Sequence, residues 1–366
     1  MTADTDLLFQ PFDHGRLHLP NRIVMAPMTR SFSPGGVPGP DVAAYYRRRI
    51  EGGVGLIIGE ATLVDHPAAG NDIAVPWFHG EAPLAGWQHI LDEVHAAGGL
   101  FMPQIWHTGT MRKVGDGPNP EVAPVSPSGL FKPGRVVGEP MTDSQIADCI
   151  EAYAKAAETA EAMGFDGVEI HGAHGYLIDQ FFWEGTNQRS DGWGGDMRGR
   201  QRFALEVVKA CRARLSPDFP LLIRLSQWKQ QDFTARLAPT PETLAAFLEP
   251  LCDAGIDIFH CSTRRFWEPE FDGSDMNFAG WTKKLTGKPT ITVGSVSLNE
   301  EFIATFRAPA ERTGIGRLLE MMARGDFDLV AVGRALLVDA DWAHKIRDGR
   351  IEDLRPYTPE VLKELV

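Results

Sequence analysis

Short apolar runs recur along the chain, and longer amphipathic stretches separate them. Eight of the runs have the length of strands and little polar alternation, which is typical of strands buried on both faces of a parallel sheet. We predict these strands at Ile23–Ala26, Gly55–Ile58, Leu100–Ile105, Val168–His171, Leu221–Leu225, Ile256–His260, Thr290–Val293 and Leu329–Val332.

The stretches between the strands have the period of amphipathic helices. We predict helices at Asp41–Glu51, Leu84–Ala97, Ser144–Met163, Arg200–Leu215, Pro241–Ala254 and Gly316–Arg324. Thr142 or Asp143 before the third helix, and Thr240 with Pro241 at the fifth, are good helix starts. Eight strand–helix units favour an α/β fold, namely a closed (β/α)8 TIM barrel forming a single domain over residues 1–366. An open doubly wound sheet is the alternative.

Two segments are additional to the strands and helices of a minimal barrel. Phe9–Leu19 is predicted to form an N-terminal β-hairpin with His14 and Gly15 at its turn, and we expect it to close the bottom of the barrel. The loop Thr108–Pro140, after the third strand, is rich in Gly, Pro and Ser and lacks periodicity. A loop of this length is expected to be a lid or a wall of the site. Residues 306–313 form a further insertion, to which the sequence assigns no role.

Composition excludes several classes of partner. The 366 residues carry a net charge of -13, which argues against nucleic acid or an anionic membrane as a partner. The four cysteines form no CxxC pair, so reduced thiols are expected, and no apolar run is long enough to act as a signal or to span a bilayer. We therefore expect a soluble, cytoplasmic protein that acts on a small molecule, as a monomer or homo-oligomer.

The most informative motif follows the fourth strand, and catalytic groups in barrels lie at the C-terminal ends of strands. His171 and His174 are three residues apart and can point two hydrogen-bond donors at one oxygen, and Tyr176 adds a phenolic proton nearby. This set can polarise a carbonyl or nitro group and protonate the carbon beside it. A merely polar glycine-rich loop is the plainer interpretation.

Other strand ends suggest a bound anion. Arg224 lies inside an apolar strand, where it needs either an internal ion pair or a bound anion. Glycine turns follow the seventh and eighth strands, where barrels commonly bind phosphate through backbone N–H groups. These turns are Gly294-Ser295 and Gly333-Arg334, and Arg334 would add a charged contact to the phosphate.

A metal-dependent hydrolase is the alternative function, because carboxylate and imidazole groups suit a divalent metal. The candidate ligands at strand ends are Glu60, His107, His171, His174 and His260. Against this hypothesis, Gln104 has no role beside a cation and Arg224 would repel one.

Taken in barrel order, the strand-end motifs resemble the Old Yellow Enzyme family of FMN-dependent ene-reductases. The resemblance runs from the Phe9 segment to about His344. The motifs that carry it are Ala26-Pro27-Met28-Thr29-Arg30, Gln104-Ile105-Trp106-His107, the stretch from His171 through Tyr176 to Phe182, its continuation from Asn187 to Gly195, and the two glycine turns.

The resemblance implies roles at matching positions. Thr29 would donate to the flavin O4 and border the substrate, Gln104 would meet the pyrimidine edge, and Arg224 would lie near N1 and O2. The remaining implied flavin contacts are Pro27, Met28, Ala61 and His171 at the ring and Gly294, Ser295, Gly333 and Arg334 at the phosphate.

For the substrate, the resemblance implies an oxygen clamp of His171 and His174, a proton donor in Tyr176 and a pocket wall in Trp106. The family varies between His-Asn and His-His at the clamp, and this chain has His-His. The segment from Ser262 to Pro269, at the start of the loop 262–280 after the sixth strand, is unusual for the family. We expect it to form a lid in which Phe266 or Trp267 touches the substrate.

The implied activity is reduction of the C=C bond of α,β-unsaturated carbonyl or nitro compounds by NADPH or NADH through FMN. Hydride would pass through flavin N5, and the proton would come from Tyr176. No Gly-x-Gly-x-x-Gly turn follows a strand, so no separate dinucleotide domain is expected. The nicotinamide would then use the substrate's own site, which gives ping-pong kinetics.

Overall fold

The structure, a computed structural model, describes residues 5–302, 304–306 and 308–366. Its strands are β1 Phe12–His14, β2 Leu17–Leu19, β3 Ile23–Met25, β4 Leu56–Leu63, β5 Leu100–Trp106, β6 Leu130–Lys132, β7 Arg135–Val136, β8 Val168–His171, β9 Leu221–Leu225, β10 Ile258–Ser262, β11 Thr290–Val293 and β12 Leu329–Val332. β3, β4, β5 and β8 to β12 pair side by side in parallel and close into a barrel. The predicted (β/α)8 fold is thereby confirmed.

The helices lie between successive barrel strands and after the last one. They are α1 Pro40–Glu51, α2 Glu81–Ala96, α3 Asp143–Met163, α4 Leu177–Phe182, α5 Met197–Arg200, α6 Arg202–Arg212, α7 Pro241–Ala254, α8 Phe278–Thr286, α9 Gly316–Ala323, α10 Arg334–Val338 and α11 Trp342–Arg347. Capping boxes begin α3 at Thr142 and α7 at Thr240, as the sequence signals predicted. Among the described residues, no helix has both the length and the apolar character that crossing a membrane requires.

The predicted N-terminal hairpin is present. β1 and β2 pair antiparallel, and Gly15 takes the left-handed conformation (φ 58°) that their tight turn requires. Phe12, Leu17 and Leu19 pack in one buried cluster with inward-facing barrel residues such as Leu56. The hairpin therefore covers the end of the barrel at which the strands begin, and it leaves the opposite end for a site.

Two of the eight predicted strands differ from the structure by more than one residue at an end. The sixth barrel strand was predicted from Ile256, but β10 begins at Ile258 because the Ile256 N–H still bonds the Leu251 carbonyl at the end of α7. The second was predicted to end at Ile58, but β4 continues to Leu63 through an irregularity in its pairing with β5. That extension carries Ala61 to a position beside Gln104.

The long loop after β5 is more ordered than predicted. It contains a single 3-10 turn at Gly109–Met111 and the small antiparallel hairpin of β6 and β7. Periodicity missed the hairpin because its strands have only three and two residues. Short helices such as α4 and α10 were missed for the same reason. In the 306–313 insertion, residue 307 lies outside the described residues, while Ala310 pairs with Tyr357 near the C-terminal end of the chain.

Candidate active site

A cavity of about 320 Å³ opens at the C-terminal end of the barrel. Its wall brings together fourteen of the predicted site residues, which come from seven barrel strands and the loops that follow them. They are Pro27, Met28, Thr29, Ala61, Gln104, Trp106, His171, His174, Tyr176, Arg224, Gly294, Ser295, Gly333 and Arg334. The topology explains the convergence, since parallel strands in a closed barrel deliver all their C-terminal ends to one face.

Buried polar groups form the floor beside Gln104. The Gln104 Nε2 donates to Glu169 Oε1 over 2.7 Å, and His260 Nδ1 lies 2.7 Å from Glu169 Oε2. Both Glu169 and His260 are fully buried. Because this bond uses one of the two amide hydrogens, Gln104 can still offer its carbonyl oxygen Oε1 and its second N–H to a ligand.

Arg224 is the cation of this floor, and its guanidinium is poorly satisfied by protein. Its contacts are long, 3.5 Å to the Pro27 carbonyl and 3.4 Å to Ser262 Oγ, and its buried Nε has no partner. Burial lowers the pKa of Arg224 to about 10, and the nearby charge of Glu169 opposes that shift. A buried guanidinium with an unused donor at a cavity wall fits an acceptor group of a bound ligand.

The predicted glycine turns border the same cavity. Gly294 has φ 149°, and a Cβ there would lie 2.6 Å from the Thr263 carbonyl oxygen, so the tight turn requires glycine. Ser295 follows with φ 53°. Both terminal nitrogens of the Arg334 guanidinium are already used within the protein. They donate to the Glu301 carbonyl and to the hydroxyls of Thr305 and Ser295.

Tyr176 and the two histidines form one aromatic cluster. Ring centroids are 5.2 Å apart between His171 and His174 and 5.0 Å apart between His171 and Tyr176. Trp106 meets Tyr176 edge-on at 4.8 Å, and Trp228 stacks on His174 at 4.7 Å. The set is packed tightly enough to fix the ring planes.

The protonation of this cluster follows from its burial. Burial, with the charge of Arg224 as the second cause, holds the pKa of His171 and of His174 well below its ordinary value. Burial also raises the pKa of Tyr176. At neutral pH the imidazoles are therefore neutral hydrogen-bond donors, and the phenol keeps its proton.

A buried ion pair holds the turn that carries these groups. His174 and Gly175 both take left-handed backbone (φ 64° and 80°), and the Gly175 N–H donates to Asp179 Oδ2 over 2.7 Å. Asp179 Oδ1 accepts from Lys229 Nζ over 2.7 Å, and neither side chain is exposed. The segment after β9, which carries Trp228 and Gln230, is thereby fixed against the turn that carries His174 and Tyr176.

The structure does not bring Phe266 or Trp267 to the cavity. Phe266 is buried in the core, its N–H bonds the Gly294 carbonyl, and Trp267 packs against it. Thr263 and Arg264 of the same segment line the cavity instead. The chain turns sharply after β10, so its apolar side chains face the core rather than the ligand space.

Sequence reasoning missed several lining residues. They include Trp228, Gln230, Tyr357 and Leu362, whereas Ser262 and Arg264 belong to the segment that was predicted to form a lid. Trp228 and Gln230 lie within six residues of Arg224, so a wider search after each strand end would have found them. Tyr357 and Leu362 come from the C-terminal segment, and no motif marks them.

The candidate ligands of the metal hypothesis do not converge. Glu60 accepts the Arg30 N–H over 2.9 Å, and His260 bonds Glu169. Within the described part of the chain, the cluster with metal-like spacing is a different one, formed by His66, His107 and Cys149 outside the cavity. Its His107 Nδ1 accepts the Gly109 N–H and its Nε2 bonds His66, so its ring nitrogens are already engaged. The metal-dependent hydrolase is not supported.

The residues present fit FMN. The unused Arg224 Nε and the Gln104 carbonyl oxygen would meet the polar edge of the flavin ring, and backbone at Gly294 and Gly333 would approach the phosphate. A Cβ at Gly333 would lie 3.4 Å from Met28 Sδ, so a side chain there would tighten this end of the cavity.

Comparison with known proteins agrees with this site. A family model described as the NADH:flavin oxidoreductase / NADH oxidase family matches residues 7–353. Putative 12-oxophytodienoate reductase 2 of Oryza sativa subsp. japonica is 33% identical over 341 residues, covering 91% of this chain and 85% of the relative. 12-oxophytodienoate reductase 7 of the same species is 40% identical over 229 residues, 58% of this chain, and the match spans 56% of that relative's length.

Solved structures are similar over nearly the whole chain. Morphinone reductase in complex with tetrahydroNAD has a TM-score of 0.81 and 29% identity, covering 97% of this chain and 93% of that one. The Old Yellow Enzyme homologue from Zymomonas mobilis has a TM-score of 0.81 and 26% identity, covering 97% and 96%. Fold, site and relatives together define a flavin-dependent oxidoreductase. The chain belongs to the NADH:flavin oxidoreductase / NADH oxidase family, the family of Old Yellow Enzyme.

Proposed function

We propose that the protein reduces the C=C bond of α,β-unsaturated carbonyl or nitro compounds with NADH or NADPH, using FMN. The observation that carries the proposal is the placement of two neutral imidazoles and one protonated phenol on the wall of a cavity whose floor holds Arg224 and Gln104. When bound, FMN supplies hydride transfer from the nicotinamide to the substrate.

His171 and His174 would hold the substrate's carbonyl or nitro oxygen. His171 Nδ1 accepts the Ala173 N–H over 3.3 Å, so its Nε2 carries the hydrogen and can donate into the cavity. Negative charge grows on the substrate oxygen as hydride arrives at the β-carbon, and one donor aimed at such charge contributes about 3 kcal/mol.

Tyr176 would protonate the α-carbon. Its raised pKa keeps the proton in place at neutral pH, and the neutral histidines are poor competitors for the role of acid. Trp106 and Trp228 flank the reacting groups with apolar surface and exclude water. The nicotinamide and the enone would occupy this cavity in turn, and we therefore propose ping-pong kinetics.

The test begins with the purified protein. We expect a yellow protein with bound FMN that is reduced by NADH or NADPH, is reoxidised by 2-cyclohexenone and binds p-chlorophenol with a change in the flavin spectrum. The double variant His171→Ala, His174→Ala is loaded with excess FMN, because His171 is also an implied flavin contact, and it should lose phenol affinity at least about tenfold. The exposed His89→Ala is the matched control and should bind the phenol normally. A colourless protein, or an unchanged affinity of the double variant for p-chlorophenol, would contradict the proposal.

A further inference from the structure

The tautomer of His174 decides whether this residue can hold a substrate oxygen. A neutral imidazole carries one N–H and one lone pair, and only the N–H attracts an oxygen. A lone pair in its place would repel the oxygen. The contacts of the ring therefore have a chemical consequence beyond packing.

The hydroxyl of Ser262 settles which nitrogen carries the hydrogen. Ser262, the last residue of β10, is buried, and its Oγ lies 2.8 Å from His174 Nε2 and 3.4 Å from Arg224 Nη2. A guanidinium has no acceptor, so Arg224 must donate to the hydroxyl oxygen. Within the described part of the chain, Ser262 Oγ has one other hydrogen-bond partner, His174 Nε2. This nitrogen is therefore the acceptor of the Ser262 hydroxyl hydrogen.

We propose that Ser262 is a positioning residue that holds His174 as the Nδ1–H tautomer, so that Nδ1 donates to the substrate oxygen. This inference rests on the proposed function. The opposite assignment would leave the Ser262 hydroxyl hydrogen without an acceptor in the protein, which is costly for a group that is nearly fully buried. His171 has the complementary tautomer, since its Nδ1 accepts from backbone and its Nε2 carries the hydrogen. The two rings thus offer two different nitrogens as donors.

Neighbouring side chains hold the His174 ring in the orientation that brings its Nε2 to Ser262. Trp228 stacks on the His174 ring with 28° between the planes, and the His174 backbone N–H donates to Ser226 Oγ over 3.0 Å. With the ring plane and the backbone held, the Ser262 hydrogen bond selects the tautomer. It also links Arg224, on the cavity floor, to the donor that meets the substrate.

The direct test reads the tautomer in protein labelled with 15N-histidine. Two-bond 1H–15N correlation spectra distinguish the protonated ring nitrogen, and loss of one signal set in His174→Asn identifies His174. We expect Nδ1–H in the wild type and in Ser262→Thr, which keeps the hydroxyl. In Ser262→Ala we expect a mixture or Nε2–H. An Nε2–H signal in the wild type, or an unchanged tautomer in Ser262→Ala, overturns the proposal.

The functional consequence is measured by p-chlorophenol binding to the FMN-loaded protein. The apparent affinity for the phenol is proportional to the fraction of protein in which His174 is the Nδ1–H tautomer. Ser262→Ala lowers that fraction and should therefore weaken binding between about twofold and tenfold. Ser262→Thr should bind as the wild type does. Ser126→Ala removes a buried hydroxyl remote from the cavity and is the matched control.

The two proposals fail in different ways. A tautomer change in Ser262→Ala without a change in phenol affinity would refute donation through Nδ1. A wild type that binds neither FMN nor the phenol would refute the proposed function, while the tautomer would still be read from the chain itself.

Discussion

Gln230 donates a hydrogen bond from its side-chain Nε2 to the Tyr176 hydroxyl oxygen over 3.1 Å. The phenol oxygen accepts in this contact, so its own hydrogen stays available for another acceptor. The hydrogen bond also lowers the pKa of Tyr176 and opposes the larger rise that burial causes. Gln230 is thus placed to stabilise the phenolate that remains after proton transfer.

Gln230→Leu should raise the pKa of Tyr176 and slow enone reduction about fivefold, because one neutral hydrogen bond contributes about 1 kcal/mol. NMR titration of 13Cζ-tyrosine would follow the phenol, and Tyr176→Phe would assign its signal. Gln88→Leu is the control, since the Gln88 amide donates to Asp92 Oδ1 on the protein surface, away from the cavity. An unchanged or lower pKa in Gln230→Leu would contradict the assigned role.

Tyr176→Phe should separate the two half-reactions. Flavin reduction by the nicotinamide needs no proton from Tyr176 and should persist. Reoxidation by 2-cyclohexenone should slow by about 10²-fold or more, the range that a positioned general acid supplies. Stopped-flow absorbance of the flavin measures each half-reaction. Normal reoxidation by the enone would remove Tyr176 from the mechanism.

Glu169→Gln should raise the two-electron reduction potential of bound FMN. The Glu169 carboxylate opposes the charge of Arg224, and its removal leaves a more positive floor that favours the anionic reduced flavin. A tenfold change in the equilibrium between oxidised and reduced flavin corresponds to about 30 mV, and we expect the reduction potential to rise by at least that amount. Potentiometric titration against a reference dye measures the change. Glu270→Gln changes a buried carboxyl group outside this cavity and controls for the loss of a charge when the titration is run above pH 8, because burial raises the pKa of Glu270 to about 7. A potential that falls would show that Glu169 does not balance Arg224.

Glu60→Gln should flatten the dependence of stability on pH. Burial raises the pKa of Glu60 to about 7 from an ordinary 4.5, so the folded protein holds more protons than the unfolded chain between these values. The contribution of Glu60 to the free energy of unfolding therefore falls as pH rises from about 4.5 to about 7. Glu60→Gln should gain stability relative to the wild type between pH 5 and pH 7.5 in urea unfolding. A difference that does not vary with pH would be inconsistent with this titration.

Much of the barrel could be predicted because local pattern and global fold agree. β8 has the predicted bounds, Val168–His171, and the capping box at Thr142 lies where the sequence signal is. Burial on both faces gives an apolar run its strand pattern without knowledge of its neighbours. Errors concentrated at strand ends and in the short elements between strands, where hydrogen bonds from other segments set the boundary.

Within the site, the sequence by itself determined many of the chemical groups that meet, since the C-terminal ends of all the barrel strands lie at the same end of the barrel. His171, Tyr176 and Arg224 are determined in this way. Only the tertiary structure decided their partners. Ser262 reaches His174 across 88 positions of sequence, and Phe266 turns into the core although it follows the same strand. The physical reason is that strand period fixes side-chain direction within a strand, whereas beyond its end packing and long-range hydrogen bonds decide it.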